Sequence, residues 1–281
     1  MPKYGAHAFV WVDEWTTEKG NHAIAEAGRQ GFDFIEIPLL KPAEFDAPVH
    51  KQALARAGIY ATASLVLPND AHMPAQPKRA KEFLISALDQ LQALGGNYLC
   101  GCIAYALGIF TGAPPTDAER QTVIDTLGAV AAEAKKRGMT LGLEVVNRHE
   151  GYVYNSLADA RATIEAIGAD NIQLHADTYH MNIEEEGFYK PLVECADVLG
   201  YIHMSESHRG LLGTGTVNWD EVFRGLADAH YKGPLALECF SAINPDLIAS
   251  TRLWRPPKQD AATLAREGLT FMRRGAARVG L

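Results

Sequence analysis

Four residues in the second half of the chain, Glu144, Asp177, His203 and Glu238, share one setting: each stands near the C-terminal end of a short apolar run. The runs read Leu141-Gly-Leu-Glu, Gln173-Leu-His-Ala-Asp, Tyr201-Ile-His-Met and Leu235-Ala-Leu-Glu. One such carboxylate or imidazole is ordinarily a hydrogen-bonded structural group. Four in register on successive runs make a different case, because unpaired buried charges are costly. A divalent cation removes that cost. Three carboxylates and one imidazole suit Mn²⁺, Mg²⁺ or Co²⁺ better than a thiolate-loving metal. One ion per chain is expected, with Mn²⁺ the first choice. Further polar residues follow these runs in what read as loops: Glu150, six residues after Glu144; His180, three after Asp177; and Arg209, six after His203. His180 and Arg209 read as substrate contacts, whereas Glu184, Glu185 and Glu186 read as solvated loop charges.

Positioning these groups requires a repeated element. Eight short runs rich in strand formers read as buried strands: Tyr4–Val10, Phe34–Leu40, Ile59–Leu67, Tyr98–Ala104, Thr140–Val146, Ile172–Asp177, Leu199–Met204 and Pro234–Phe240. Helical stretches lie between them. Pro77–Leu94 is apolar at intervals of three and four. Thr116–Arg137 opens on Thr116 followed three residues later by Glu119, a capping-box pattern, and stops at Gly138. Asn218 opens another helix and Ala261–Arg278 forms the last. Strand–helix alternation repeated eight times predicts a single (β/α)8 TIM barrel spanning residues 1–281. An open doubly wound sheet is the alternative, but no glycine-rich phosphate loop follows the first strand. In a barrel the chemistry sits at the C-terminal strand ends, where the four candidate ligands fall.

Composition narrows the function classes. A net charge of −8 gives no electrostatic route to phosphate backbones, so no nucleic-acid partner is expected. Cys100, Cys102, Cys195 and Cys239 form no CxxC pair, consistent with reduced thiols and a cytoplasmic protein. No stretch reaches about 18 uninterrupted apolar residues, so no membrane partner is expected either.

Several segments resemble the D-tagatose 3-epimerase and D-psicose (D-allulose) 3-epimerase family of xylose-isomerase-like barrels. They are Leu143-Glu-Val-Val-Asn-Arg, Asp177-Thr-Tyr-His-Met-Asn-Ile-Glu-Glu, His203-Met-Ser-Glu-Ser-His-Arg, Gly215-Thr-Val-Asn-Trp-Asp-Glu-Val-Phe, Leu237-Glu-Cys-Phe and Trp254-Arg. The likeness is densest from residue 140 to residue 256. The resemblance implies a divalent-metal-dependent ketose 3-epimerase acting on a small free ketohexose or ketopentose. It implies Glu144, Asp177, His203 and Glu238 as metal ligands, with Glu144 and Glu238 as the acid/base pair. Glu150, His180 and Arg209 would then hold the C1–C2 end of the sugar. Such chemistry removes the proton beside a carbonyl to give a cis-enediolate, whose charge a Lewis acid steadies. It needs one carboxylate on each face of the sugar, and the fifth and eighth strands lie across the barrel from each other.

The sequence also departs from the family pattern. His7 stands where an aromatic sugar contact is usual, and the stretch Ile103-Ala-Tyr-Ala-Leu-Gly lacks the usual tryptophan. His7, Ser64 and Tyr105 are expected to contact substrate, with His7 and Tyr105 near the distal hydroxyls. His175 shares a strand face with Asp177 and reads as a packed, hydrogen-bonded core histidine. A homodimer or homotetramer is expected. Among rivals, an apurinic endonuclease would need more histidines where Ser64 and Cys102 stand. An aldose–ketose isomerase of the hydroxypyruvate- or xylose-isomerase type shares the enediolate chemistry and stays open. A non-catalytic binding module fits poorly with intact ligand and acid/base positions.

Overall fold

The computed structural model describes residues 2–242, 248–255 and 258–281. Eight parallel strands follow in chain order: β1 (Tyr4–His7), β2 (Phe34–Pro38), β3 (Tyr60–Val66), β4 (Tyr98–Cys102), β5 (Thr140–Glu144), β6 (Ile172–Asp177), β7 (Leu199–Met204) and β8 (Leu235–Leu237). Each pairs with the next, and β8 closes on β1 through Tyr4↔Leu235, Gly5↔Ala236 and Ala6↔Leu237. That closure excludes the open doubly wound sheet and makes the fold a (β/α)8 barrel.

The α-helices of the described residues are α1 (Thr17–Gln30), α2 (Ala47–Ala57), α3 (Pro77–Leu94), α4 (Asp117–Lys136), α5 (Leu157–Ile167), α6 (Thr178–Glu184), α7 (Tyr189–Glu194), α8 (Trp219–Asp228), α9 (Ile248–Thr251) and α10 (Ala261–Val279), of which α6 and α9 reach the barrel mouth. Local chemistry sets several boundaries. Thr116 and Glu119 form the anticipated reciprocal capping box at α4, and Gly138 follows that helix with φ 67°. Asn218 caps α8 by accepting from the Glu221 N–H. Among the described residues, no helix is long and apolar enough to cross a membrane.

Several strands end earlier than their apolar runs. β1 stops at His7 and β5 at Glu144, and the apolar residues beyond them, Phe9 and Val146, turn away from the ladder to line the barrel mouth. Hydrophobicity alone cannot distinguish these roles, because both are buried. The barrel interior beneath the mouth is filled by Phe34, Cys100, Tyr201 and Ala236, with Tyr98 packed against them.

Candidate active site

A cavity opens at the C-terminal end of the strands. Its lining includes His7, Ser64, Glu144, Glu150, His180, His203, Arg209 and Glu238, so most of the anticipated site residues come together there. Asp177 lies just beneath, fully buried. Its Oδ1 accepts from the Tyr179 N–H at 2.6 Å and caps α6. Its Oδ2 faces Arg209 Nη1 at 2.7 Å.

The centre of the cluster is His203 Nδ1. This nitrogen is buried and has no hydrogen-bond partner. It stands 3.4 Å from Glu238 Oε2, 3.7 Å from Glu144 Oε1 and 3.8 Å from Asp177 Oδ2. A lone imidazole nitrogen facing three carboxylates is the donor set that a divalent cation completes. Asp177, His203 and Glu238 present their ligand atoms within 4.8 Å of one another, as do Glu144, Asp177 and His180. Burial pushes the Glu144 and Asp177 carboxyls above their ordinary range. Burial acts on Glu238 in the same direction, but the Arg209 and His203 cations outweigh it and hold that carboxyl well below. Burial opposes charge on His203, and the Glu238 and Glu36 carboxylates reverse that effect, raising it well above the usual histidine range.

Beside this cluster lies a second group, organised by Asn147. Its backbone N–H and side-chain amide both approach His180 Nδ1, at 3.0 and 2.8 Å, and the amide also donates to Glu150 Oε1 at 2.9 Å. With Nδ1 accepting, His180 carries its proton on Nε2, which faces Arg209 Nη2 at 3.1 Å. Two donors therefore converge without an acceptor between them, and a ligand oxygen placed there would satisfy both. Burial pushes His180 well below its usual range, so its ring is neutral. Burial also raises Glu150 to about 7.

Arg209 is buried, bonds Asp177, Ser205 and Glu238, and lies 4.0 Å over the Tyr179 ring. Its backbone has φ 58°, a sparsely populated conformation for a non-glycine residue. Glu206 holds the loop in this shape. Its carboxylate accepts from the backbone of Ser207, Gly213 and Val217 and from Trp219 Nε1, while its carbonyl accepts from the Arg209 N–H at 2.8 Å.

Some expectations require correction. Tyr105 does not line the cavity: it is 1% exposed and its hydroxyl donates to the Glu144 carbonyl, so it supports β5 rather than touching a ligand. Leu107 from the same stretch takes the wall position. His180 lies on α6 rather than in a loop, because Asp177 caps that helix. Glu184 and Glu185 are not merely solvated: Glu184 pairs with Arg148 and Glu185 accepts from the Leu157 N–H. His175 is packed as expected, 4.9 Å from the Tyr201 ring and 4.2 Å from that of His203, but neither of its ring nitrogens has a hydrogen-bond partner.

Sequence reasoning missed Glu36. It is fully buried beneath the cavity, with its two oxygens 3.0 and 2.8 Å from His203 Nε2. Burial opposes its charge, but the neighbouring His203 outweighs this and holds Glu36 at about 2. A signal was available: β2 reads Phe-Ile-Glu-Ile-Pro, and an acidic residue inside a fully buried strand needs a partner.

The fold is a (β/α)8 barrel whose mouth carries a carboxylate–histidine cluster able to hold a metal, and comparison with known proteins places it among enzymes. The xylose isomerase-like TIM barrel family pattern matches residues 23–275, and the chain belongs to that family. Its relatives include several ketose 3-epimerases, enzymes of the isomerase class. The chain is 39% identical to an L-ribulose 3-epimerase of Methylomonas sp. over 277 residues, covering 96% of each chain. It is 37% identical to a ketose 3-epimerase of Arthrobacter globiformis, again covering 96% of each. A crystal structure of D-allulose 3-epimerase from Methylomonas sp. in complex with D-allulose superposes with a TM-score of 0.94 at 38% identity, covering 97% of this chain and 96% of that one.

Proposed function

We propose that this chain interconverts free ketohexoses or ketopentoses at C3 through a cis-enediolate, with Glu144 and Glu238 as the acid/base pair. The observation that supports this most is the pair of carboxylates lining one cavity, on β5 and immediately after β8, with the unpartnered His203 Nδ1 between them. Glu144, Asp177, His203 and Glu238 would hold one divalent ion, Mn²⁺ being the first to try and Mg²⁺ or Co²⁺ the alternatives. Such an ion supplies Lewis-acid stabilisation of negative charge developing on the sugar.

The chain's own residues do the rest. One glutamate takes the C3 proton from one face of the sugar, and the other returns a proton to the opposite face; the roles exchange when the reaction runs backwards. His180 Nε2–H and Arg209 converge on a single acceptor position and, with Glu150, anchor the C1–C2 end. Anchoring that end presents C3 to both carboxylates, which is the positioning that makes proton transfer fast. His7 and Ser64 face the remainder of the sugar.

The test is a panel of ketoses incubated in deuterated water with Mn²⁺ and followed by mass spectrometry. D-fructose and D-tagatose should yield D-psicose and D-sorbose, with deuterium at C3. Aldose products in their place would retire this reading in favour of an aldose–ketose isomerase. Exhaustive chelation should abolish turnover, and added Mn²⁺ or Co²⁺ should restore it and raise the melting temperature. Full activity after complete metal removal would refute the metal assignment.

A further inference from the structure

Glu36 lies on β2, outside the four strand-end groups, and it does not line the cavity. It is nonetheless held from several directions. Its carboxylate meets His203 Nε2 at 3.0 and 2.8 Å. The Tyr201 hydroxyl donates to its Oε2 at 2.7 Å and lies 3.1 Å from Thr62 Oγ1. His7 Nε2 stands 3.8 Å from its Oε1, beyond hydrogen-bonding distance. Tyr201 and His203 are two residues apart on β7, so both side chains point into the barrel on the same side. Thr62 pairs in register with Glu36 across β2 and β3. The result is a buried chain running Thr62, Tyr201, Glu36, His203.

This chain decides which nitrogen of His203 is offered to the cavity. A carboxylate can only accept, so Nε2 must carry the hydrogen that lies against Glu36. Because Nε2 keeps its hydrogen, Nδ1 is the nitrogen that gives up its proton when a cation binds, and it is this atom that stands without a hydrogen-bond partner among Glu144, Asp177 and Glu238. Without Glu36, either tautomer would be open to the ring, and it could rotate within its site.

We propose that Glu36 is a positioning residue that locks His203 in the tautomer and orientation presenting Nδ1 to a divalent cation, with Tyr201 holding Glu36 in turn. The proposal rests on the cation reading given above. Carboxylates that accept from a metal-bound imidazole typically matter by 10–100-fold in metal affinity.

The experiment is calorimetric titration of the apo protein with Mn²⁺ for the wild type, Glu36→Gln, Tyr201→Phe and His203→Ala, together with apo melting temperatures. Turnover is then measured against Mn²⁺ concentration. Glu36→Gln should weaken Mn²⁺ binding about 10–100-fold, and its turnover should recover substantially when Mn²⁺ is raised to saturation. A purely structural defect would not be rescued by metal. Tyr201→Phe keeps both Glu36 and its charge, and should weaken binding by a few-fold only. Should Glu36→Gln fail to fold, Tyr201→Phe carries the test. Wild-type affinity in both folded variants, alongside lost binding in His203→Ala, would overturn the role of Glu36 while leaving the cation reading intact. A wild type that binds no Mn²⁺, or binds it equally well after His203→Ala, would bring down both.

Discussion

The two halves of the barrel mouth are built on different principles. On the β5–β8 side, Glu144, Glu150, His180, His203, Arg209 and Glu238 crowd into the cavity, and most are fixed by hydrogen bonds from buried neighbours. On the β1–β4 side, the wall includes Phe9, Leu40, Val66 and Leu107, with His7, Ser64 and Cys102 the polar exceptions. The first half constrains direction and charge, as the proposed proton transfer demands. The second constrains shape, and apolar contacts discriminate only weakly between sugars that differ at one position. Reaction type should therefore be set by one half and substrate ranking by the other.

The most severe way to test this division is to remove a carboxylate from the polar half. Glu144→Gln and Glu238→Gln should each cost at least ~10³-fold in turnover, with the fold preserved by circular dichroism. Near-normal turnover in either variant would end the two-carboxylate reading. Next in size are Arg209→Ala and His180→Ala, which should lose about 10²-fold in kcat/KM through misplaced substrate. Their losses should be similar for ketopentoses and ketohexoses, which share C1 to C3, and metal should still bind. A loss confined to one sugar class would show that the sugar lies the other way round. On the apolar half, His7→Phe or Leu107→Ala should shift the relative kcat/KM of a ketopentose and a ketohexose by about 10-fold or less, while both sugars still turn over. A uniform collapse would mean that the halves are not separable.

The smallest effect concerns Glu150, raised by burial to about 7. Its folded state binds the proton more tightly than the unfolded chain does. The contribution of Glu150 to stability is therefore greatest below the ordinary carboxylate range and falls as pH rises towards 7, then levels off. Glu150→Gln should melt higher than wild type above pH 7, and that advantage should shrink as the pH approaches the ordinary carboxylate range near 4.5. A pH-independent difference in melting temperature would show that Glu150 does not titrate in this way.

Much of this was readable from the chain because the four strand-end groups interrupt otherwise apolar runs at one repeated position. Alternation carried the barrel, and the Thr116–Glu119 pair carried a helix start to the residue. What escaped depended on partners distant in sequence. Glu36 looks like an isolated acid until β7 brings Tyr201 and His203 against it, 165 and 167 residues away. Tyr105 has the amphipathic character of a sugar contact, yet its hydroxyl is taken by the Glu144 carbonyl, an acceptor invisible to side-chain patterning. The helix α6 was hidden because Asp177 serves two purposes, with one oxygen capping the helix and the other facing the cluster. Asn147 sat within a recognised motif, but its task of orienting His180 and Glu150 emerges only once β5 and α6 are adjacent.

The staple made by Glu206 bears on how this enzyme could be re-engineered. One carboxylate gathers donors from Ser207, Gly213, Val217 and Trp219, so residues 205 to 219 form a single braced unit rather than a string of adjustable positions. Gly215 is pressed so closely on this carboxylate that an added side-chain carbon would meet Glu206 Oε1 at 2.4 Å. A library built on that loop would put this network at stake together with the Glu206 carbonyl that accepts from the Arg209 N–H. Beyond the buried residues 103 to 106, the stretch from Leu107 to Thr116 brings Leu107 to the cavity wall and carries Phe110 outward into solvent. Loop grafting and saturation libraries aimed at new sugars belong on that segment.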